Sequence, residues 1–411
     1  MNKGRILYIS YDGMSDPLGQ SQVLPYLTAL TNLGFEITLI SAEKPERFKN
    51  LPANFASTLK SYGLDWHPIM YTKSPPILST IKDISAIKKL ASSLHLKKNF
   101  QIVHCRSYVA SLAGVWLKKK FGLKFLFDMR GFWADERVDG KIWNLSLPHF
   151  KLVYNYFKRK ENLFLETADH TVSLTHNAAN EIHMWENIKG QPIPISVIPC
   201  CADLDFFDPK KISAEQKQIL KNKLSIHEAT FILTYVGSIG TWYLSDEMLL
   251  FFKRLLFTMN DSVFLIYTQE DSQIIYKKAG ELDLPLNRIK VLPVNRAEMP
   301  LYLSITDLSL FFIKNAFSKK ASSPVKQGEL MAMGIPMICN SGVGDVDLIV
   351  NDTHCGMILE TLNESAFDNA IRKWDVLKNI PQQTIREGAF KWYSLSEGVN
   401  QYAKIYNQLM N

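Results

Sequence analysis

The feature that most constrains this chain is an alternation of strand-length apolar runs with helical patterns, which starts at the N-terminus and starts again past the middle. Residues 5–10 read as a strand, 11–19 as a loop, 22–33 as a helix ended by Gly34, and 36–41 as a second strand. That succession is a βαβ unit, the seed of a parallel sheet. Strands are expected next at 102–104, 124–128 and 170–174, with helices at 79–94, 108–119 and 148–168. VIPCCADLDFFDP (197–209) reads as a strand running into an irregular, Pro-bounded connector. The alternation then restarts, with strands at 231–236, 262–267, 289–291, 308–312 and 336–338 and helices at 246–259, 272–282, 296–304 and 324–333. Two doubly wound sheets in series predict an α/β chain of two Rossmann-like domains facing across a cleft. The expected layout is a first domain over 1–198, a connector over 199–212, a second domain over 213–392 and a terminal helix over 393–411. That helix carries Val399, Tyr402, Ala403, Tyr406 and Leu409 on a helical period, so it must pack on something, and a return to the first domain is expected.

Composition agrees and narrows the classes. At ~100–200 residues per domain, a chain of this length suits two domains. Its 46% hydrophobic and 21% charged content excludes a disordered or fibrous protein. The start, MNKGRILYISYDG, has no signal-peptide pattern, and no apolar run approaches the ~20 residues that cross a bilayer. A cytoplasmic protein is expected. Cys105, Cys200, Cys201, Cys339 and Cys355 are odd in number and scattered with no CxxC pair, which argues against a disulfide framework and a zinc site. Residues 1–200 hold 25 Lys and Arg against 16 Asp and Glu, whereas 201–411 hold 22 against 24. The first-half excess is read either as solvated helix-end lysines or as peripheral contact with an anionic membrane, on the inner face of the cytoplasmic membrane. No nucleic-acid motif is present, and the basic runs are not interleaved with aromatics, so no nucleic-acid partner is expected.

Ligands of open α/β sheets sit at the carboxyl ends of the strands, so the chemistry is sought there. In ASSPVKQGELMAMGIPMI (321–338), Ser323, Lys326 and Glu329 fall in the opening turns of one helix. A helix start favours phosphate oxygens; Lys326 would add a full charge to a diphosphate and Glu329 would accept two ribose hydroxyls. Gly237, Ser238 and Gly240 of the turn GSIGTW, and Gly342, Val343 and Gly344 of SGVGD (341–345), would let a backbone approach the same ligand. In the first half, the charged loop FDMRGFWADERVDG (127–140) offers Asp128 and Arg130 as catalytic candidates, and Trp133, Asp135 and Glu136 as acceptor contacts. His104, with Arg106 and Ser107 beside it, ends another strand; His104 is a further catalytic candidate and Arg106 an acceptor contact, although a lone His is more often a satisfied core residue. Gly19 and Gln20, in the first loop DGMSDPLGQSQV, are further acceptor contacts. Two D-x-D triplets, 203–205 and 345–347, resemble metal signatures, but one lies in the connector and the other begins beyond a Gly turn, and no metal or cofactor is assigned.

These motifs together resemble glycosyltransferase family 4, retaining enzymes of the GT-B fold. Glu329-Leu-Met-Ala-Met-Gly334-Ile-Pro336-Met-Ile338 is similar to the family's E-A-M-A-x-G-x-P-V-I. VIPCCADLDFF is similar to V-I-P-N-G-V-D-x-x-x-F, and YVGSIGTW to the Y-V-G-x-L segment. The resemblance implies metal-independent transfer of a sugar, with retention, from a nucleotide-sugar donor to a saccharide or lipid-linked acceptor, in cell-surface polysaccharide or glycoconjugate assembly. Two departures stand out. The first of the family's two glutamates is replaced by Ala321, and the usual Arg and Lys after the Y-V-G strand are missing, which leaves the diphosphate to Lys326, the Gly-rich turn at 237–240 and helix N-termini. The rival readings are a nucleotide-sugar 2-epimerase on the same plan and a sugar- or nucleotide-binding subunit without activity.

Overall fold

The computed structural model describes residues 3–75 and 77–411. The chain forms two compact units, one of Met1–Pro199 with Leu395–Asn411 and one of Cys200–Ser394. The segment read as a connector, 199–212, falls inside the second unit from Cys200 on.

The first unit holds a seven-stranded, all-parallel sheet of β1 (Gly4–Ser10), β2 (Phe35–Glu43), β3 (Leu64–Met70), β4 (Ile102–Arg106), β5 (Lys124–Asp128), β6 (His170–Ser173) and β7 (Ile195–Val197), in the order β3-β2-β1-β4-β5-β6-β7. The chain winds outward from β1 in one direction, then crosses back to β4 and winds the other way. The β1/β4 junction is therefore the topological switch point, where a doubly wound sheet opens a crevice. Ile6 of β1 pairs in register with Ile37 on one side and Ile102 on the other, and all three are buried. Strands covered on both faces read as continuous apolar runs, and each fully buried Val, Leu, Ile or Phe contributes ~1.5–3 kcal/mol relative to exposure.

The second unit repeats the plan with β8 (Phe231–Val236), β9 (Ser262–Tyr267), β10 (Ile289–Leu292), β11 (Leu308–Phe311), β12 (Met337–Asn340) and β13 (Gly356–Leu359) in the order β10-β9-β8-β11-β12-β13. Its switch point lies between β8 and β11. The terminal helix, Leu395–Met410, belongs to the first unit, as its apolar stripe required. It packs on the Leu24–Asn32 helix and β4, with Tyr402 against Tyr26 and Tyr406 against Phe35.

Several elements differ from expectation. The expected helix over 22–33 is two helices, Pro17–Gln22 and Leu24–Asn32, because Pro25 cannot donate an N–H to the preceding turn and starts a new helix. The expected loop over 127–140 turns helical at Trp133–Asp139. Strand β3 (LDWHPIM) carries Pro68, and lies at the sheet edge, where the lost ladder bond is tolerated. The D-x-D carboxylates serve the backbone: Asp203 accepts from the Asp205 and Phe206 N–H groups, and Asp347 from Gly342.

Candidate active site

The second unit's switch point gathers the helix start, the Gly-rich turn and the segment between β11 and the Val325–Ala332 helix. That helix is capped by Pro324, which offers no side-chain acceptor to the first-turn N–H groups. Lys326, at its second position, is buried (7% exposed), and its Nζ donates to the Tyr235 hydroxyl at 3.1 Å. The ammonium also sits 3.6 Å from the centroid of the Tyr243 ring. Among the described residues no carboxylate lies within 4 Å of it. Burial holds its ammonium well below the ordinary lysine range, with Glu329 pulling the other way. Gly237, at φ +134°, turns the chain under this side chain: a Cβ there would come within 2.6 Å of Lys326 Nζ.

Glu329 is also buried, and Arg296 reaches it at 2.9 Å. Burial pushes the carboxyl upward and Arg296 opposes the shift. Arg296 itself lies over the Phe206 and Phe207 rings. Lys319, 5% exposed on the Phe317–Ala321 turn, packs 3.6 Å from the Trp242 centroid. Two buried lysines thus rest on consecutive rings of one Gly-rich turn. Neither Lys319 nor Arg296 stood in any sequence motif; the signal that would have found them is position, since Arg296 follows β10 and Lys319 follows β11, at strand carboxyl ends.

Several groups expected to face a ligand are engaged within the unit. The Gly237 N–H donates to the Tyr267 carbonyl, Gly344 N–H to that of Lys319, and Gly342 N–H to Asp347. Ser323 Oγ accepts from the Cys200 N–H at 3.1 Å. The Ser238 carbonyl accepts from Tyr235, Gly240 is in a left-handed conformation at φ +93°, and Val343 is buried. Gly342 packs against Asn315, so the 341–345 turn and the β11 segment form one surface.

The first unit's switch point brings together His104, Arg106, Asp128 and Arg130, with Asp12 from the loop after β1. Asp128, 1% exposed, has Arg106 at 4.0 Å, Arg130 at 3.9 Å, His104 Nε2 at 3.5 Å and the Tyr402 hydroxyl at 3.2 Å. Burial works to raise its carboxyl, but Arg130, His104 and Arg106 outweigh it and hold it below the usual range. His104 is pushed down by burial against the pull of Asp128, which favours a neutral ring. That ring is fixed by Tyr406, 2.7 Å from Nδ1, and by Tyr8, 4.4 Å away. Arg106 Nε donates to Asp12 at 3.3 Å. Two turns here are strained: Ser107 has φ +65° and Arg130 φ +57°, conformations costing ~1–3 kcal/mol that cluster at functional sites.

The remaining acceptor candidates have other neighbours. Trp133 is engaged by Tyr108, Trp143, Phe157 and Arg137. Asp135 accepts from Tyr154 and Lys158 in a buried network that includes Glu161 and Tyr108. Glu136 is half-buried in the same helix. Gly19 is buried against Gly13, where a Cβ would sit 2.2 Å from the Gly13 carbonyl oxygen, and Gln20 is exposed. Sequence reasoning missed Glu43, which is fully buried and accepts from the Met14 and Ser15 N–H groups and the Ser15 and Ser41 hydroxyls. It anchors the loop after β1.

Residues 21–206 match the model described as Glycosyltransferase Family 4. No curated protein sequence matches the chain. A sucrose-phosphate synthase from Thermosynechococcus elongatus superposes with a TM-score of 0.73 at 16% identity, covering 99% of both chains. A glycosyltransferase from Rickettsia africae gives 0.73 at 18% identity, covering 100% of both. HepE from Anabaena, solved in complex with UDP and glucose, gives 0.70 at 12% identity, covering 98% of this chain and 99% of that one. At these identities the likeness is one of fold, and the fold class is that of the GT-B enzymes.

Proposed function

We propose, from the match of residues 21–206 to the Glycosyltransferase Family 4 model, that this chain is a retaining glycosyltransferase. It moves a sugar from a nucleoside diphosphate donor to a saccharide or lipid-linked acceptor in cell-surface polysaccharide or glycoconjugate assembly. The observation that carries the donor reading is the pair of buried lysines, Lys319 and Lys326, set on the Trp242 and Tyr243 rings beside an uncapped helix start. The buried Lys326 ammonium, which carries no ion pair among the described residues, is costly, and a diphosphate would supply the missing charge. HepE's complex with UDP is a precedent for that ligand class on this fold. In this reading Glu329, oriented by Arg296, accepts the ribose hydroxyls.

The acceptor belongs to the first unit, where Asp12, Arg106, Ser107 and Asp128 stand at the switch point. As the bond from the anomeric carbon to the diphosphate oxygen breaks, negative charge develops on the leaving phosphate and the lysines stabilise it in place of a metal ion. The acceptor oxygen bonds to the anomeric carbon on the same face, and its proton passes to a phosphate oxygen of the leaving group. A melting-curve screen of nucleotides and nucleotide sugars tests the donor site, since a ligand of the folded state raises the transition. Incubation with the stabilising donor, alone and then with an acceptor panel, tests the reaction. Isomerisation of the donor alone would make the chain an epimerase; binding without turnover on any acceptor would leave it a binding subunit.

A further inference from the structure

Three helices of the first unit lie side by side against one face of its sheet: Leu78–Lys98, Ser107–Phe121 and Pro148–Thr167. Together they contain 12 Lys and Arg and 3 Asp and Glu. Two of the three acids point inward. Asp83 is 2% exposed and bonded to Tyr11 and Thr72, and Glu161 is fully buried against Tyr108 and Lys158. Glu166 alone is exposed, at the far end of the third helix. Some of the cations are also internal: Lys158 serves Asp135 and Glu161, and Lys118 serves Asp169.

The rest form an outward basic face. Lys88 and Lys120, from the first and second helices, lie 5.6 and 4.8 Å from the centroid of the Trp116 ring. Lys160 of the third helix lies over Tyr156 and is near enough to Lys88 for their charges to repel. Among the described residues none of Lys88, Lys89, Lys119, Lys120, Lys151, Arg159 and Lys160 carries an ion pair.

Apolar side chains stand out from the same helices. Leu78 is 64% exposed, Ile81 57%, Leu152 71% and Tyr156 45%. Leu152, Tyr156 and Lys160 follow at i, i+4 and i+8, on one stripe. All three helices are crossovers between parallel strands, so they run the same way. Leu78, Ile81 and Leu152 therefore sit toward the carboxyl edge of the sheet, the edge that holds Asp12, Arg106 and Asp128, and the Lys119–Lys120 pair sits toward the opposite edge.

We infer that this three-helix face docks on an anionic lipid bilayer. The lysines meet phosphate headgroups, and Leu78, Ile81, Leu152 and Tyr156 enter the interface beneath them, the pairing of basic and apolar contacts that interfacial helices use. A nucleic-acid backbone would take the lysines but offers the leucines nothing to be buried in. The inference stands apart from the transferase reading, because it concerns residues outside both switch points.

Flotation of the full chain with phosphatidylcholine vesicles, with and without phosphatidylglycerol, tests it. The chain is expected to float only with the anionic vesicles and to be released progressively by salt, as screening shortens the reach of each charge to ~8 Å at physiological strength. Joint Lys88→Glu, Lys120→Glu and Lys160→Glu substitution, all at the surface, is expected to leave the melting curve unchanged. It should lower vesicle partition at least about a hundredfold, since each neutralised base alone is worth roughly fivefold. Leu152→Ser with Tyr156→Ser should remove the salt-resistant remainder and leave the low-salt binding. Equal binding to neutral vesicles, no binding at low salt, or unchanged binding by the triple variant would each overturn the inference. So would binding to duplex DNA by a chain that ignores the vesicles.

Discussion

At the first unit's switch point a buried carboxylate, Asp128, is ringed by Arg106, Arg130, His104 and Tyr402, whereas at the second unit's a buried ammonium, Lys326, has for company a tyrosine hydroxyl and an aromatic ring. Both stand at the carboxyl ends of parallel strands at the point where strand order reverses. The first arrangement is balanced in charge by its own cations, although Asp128 Oδ1 and His104 Nε2 accept or donate no hydrogen bond. The second has no ion pair among the described residues, only the more distant pull of Glu329, and an incomplete buried charge points to what completes it. The two sites should therefore respond in opposite ways to loss of the central residue: the first in stability, the second in ligand binding.

The largest effect is expected at Asp128. Asp128→Ala leaves the Arg106 and Arg130 guanidinium groups, 3% and 8% exposed, without their shared carboxylate. Breaking a buried pair from one side costs ~3–5 kcal/mol. Urea unfolding of the variant should show a loss of that order, with donor binding to the remaining folded protein intact. A loss below about 1 kcal/mol, the worth of an exposed pair, would mean that the cluster is solvated and the comparison fails on its first side.

Glu329 sharpens the second side. Glu329→Gln keeps shape and removes charge from the group Arg296 holds. Donor affinity should fall by ~1.5–3 kcal/mol, the range for hydrogen bonds to charged groups. A donor with deoxyribose should bind wild type and variant alike. Equal loss with both donors would move the ribose elsewhere and make the Arg296–Glu329 pair structural.

How much of this was legible in the sequence follows from what each part depends on. The strands at β5, β8 and β9 match their expected bounds because both faces are buried and the run is continuous, as in SVFLIY. Strand β13 escaped because GMIL is a short run that opens on Gly, and the half-exposed edge strand β3 because LDWHPIM carries polar residues and Pro. The terminal helix was readable as an apolar stripe, but its period could not show that the Tyr402 and Tyr406 hydroxyls serve Asp128 and His104 some 270 to 300 positions earlier. Lys326 and Glu329 were legible because one helix turn places them; Lys319, Arg296 and Glu43 reach their partners through topology, which no local pattern records. The short spacing of a motif encodes one wall of a site, and strand order supplies the others.

Lys326→Met tests the opposition directly. Turnover should fall roughly tenfold to a hundredfold, the scale for loss of one preorganised group that meets developing charge. Stability should hold or rise, because the substitution replaces a buried, uncompensated ammonium with an apolar chain of similar length. Steady-state kinetics beside a melting curve read both. A variant that turns over normally, or one that unfolds as readily as Asp128→Ala, would place Lys326 with the structural charges.

The smallest effect, and the most specific, is in pH. Burial lowers the Lys326 ammonium well below its ordinary value near 10.5 in the folded protein. Between that lowered value and 10.5 the unfolded chain binds the proton and the folded chain does not, so stability from this group rises with pH across that window. Below the lowered value both states carry the proton, and this group gives no slope. A bound diphosphate reverses the balance: its negative charge favours the ammonium and draws the group back upward. Donor binding should therefore take up a proton, at most one, so affinity should fall by no more than tenfold per pH unit as pH rises above the lowered value. Calorimetry of donor binding in two buffers of different ionisation enthalpy counts that proton. Wild type should show uptake; Lys326→Met should show none, and its stability should lose the alkaline rise. Asp128, already surrounded by cations, should contribute no such uptake, so a proton count that survives in Lys326→Met would assign the linkage to another group and erase the contrast between the two sites.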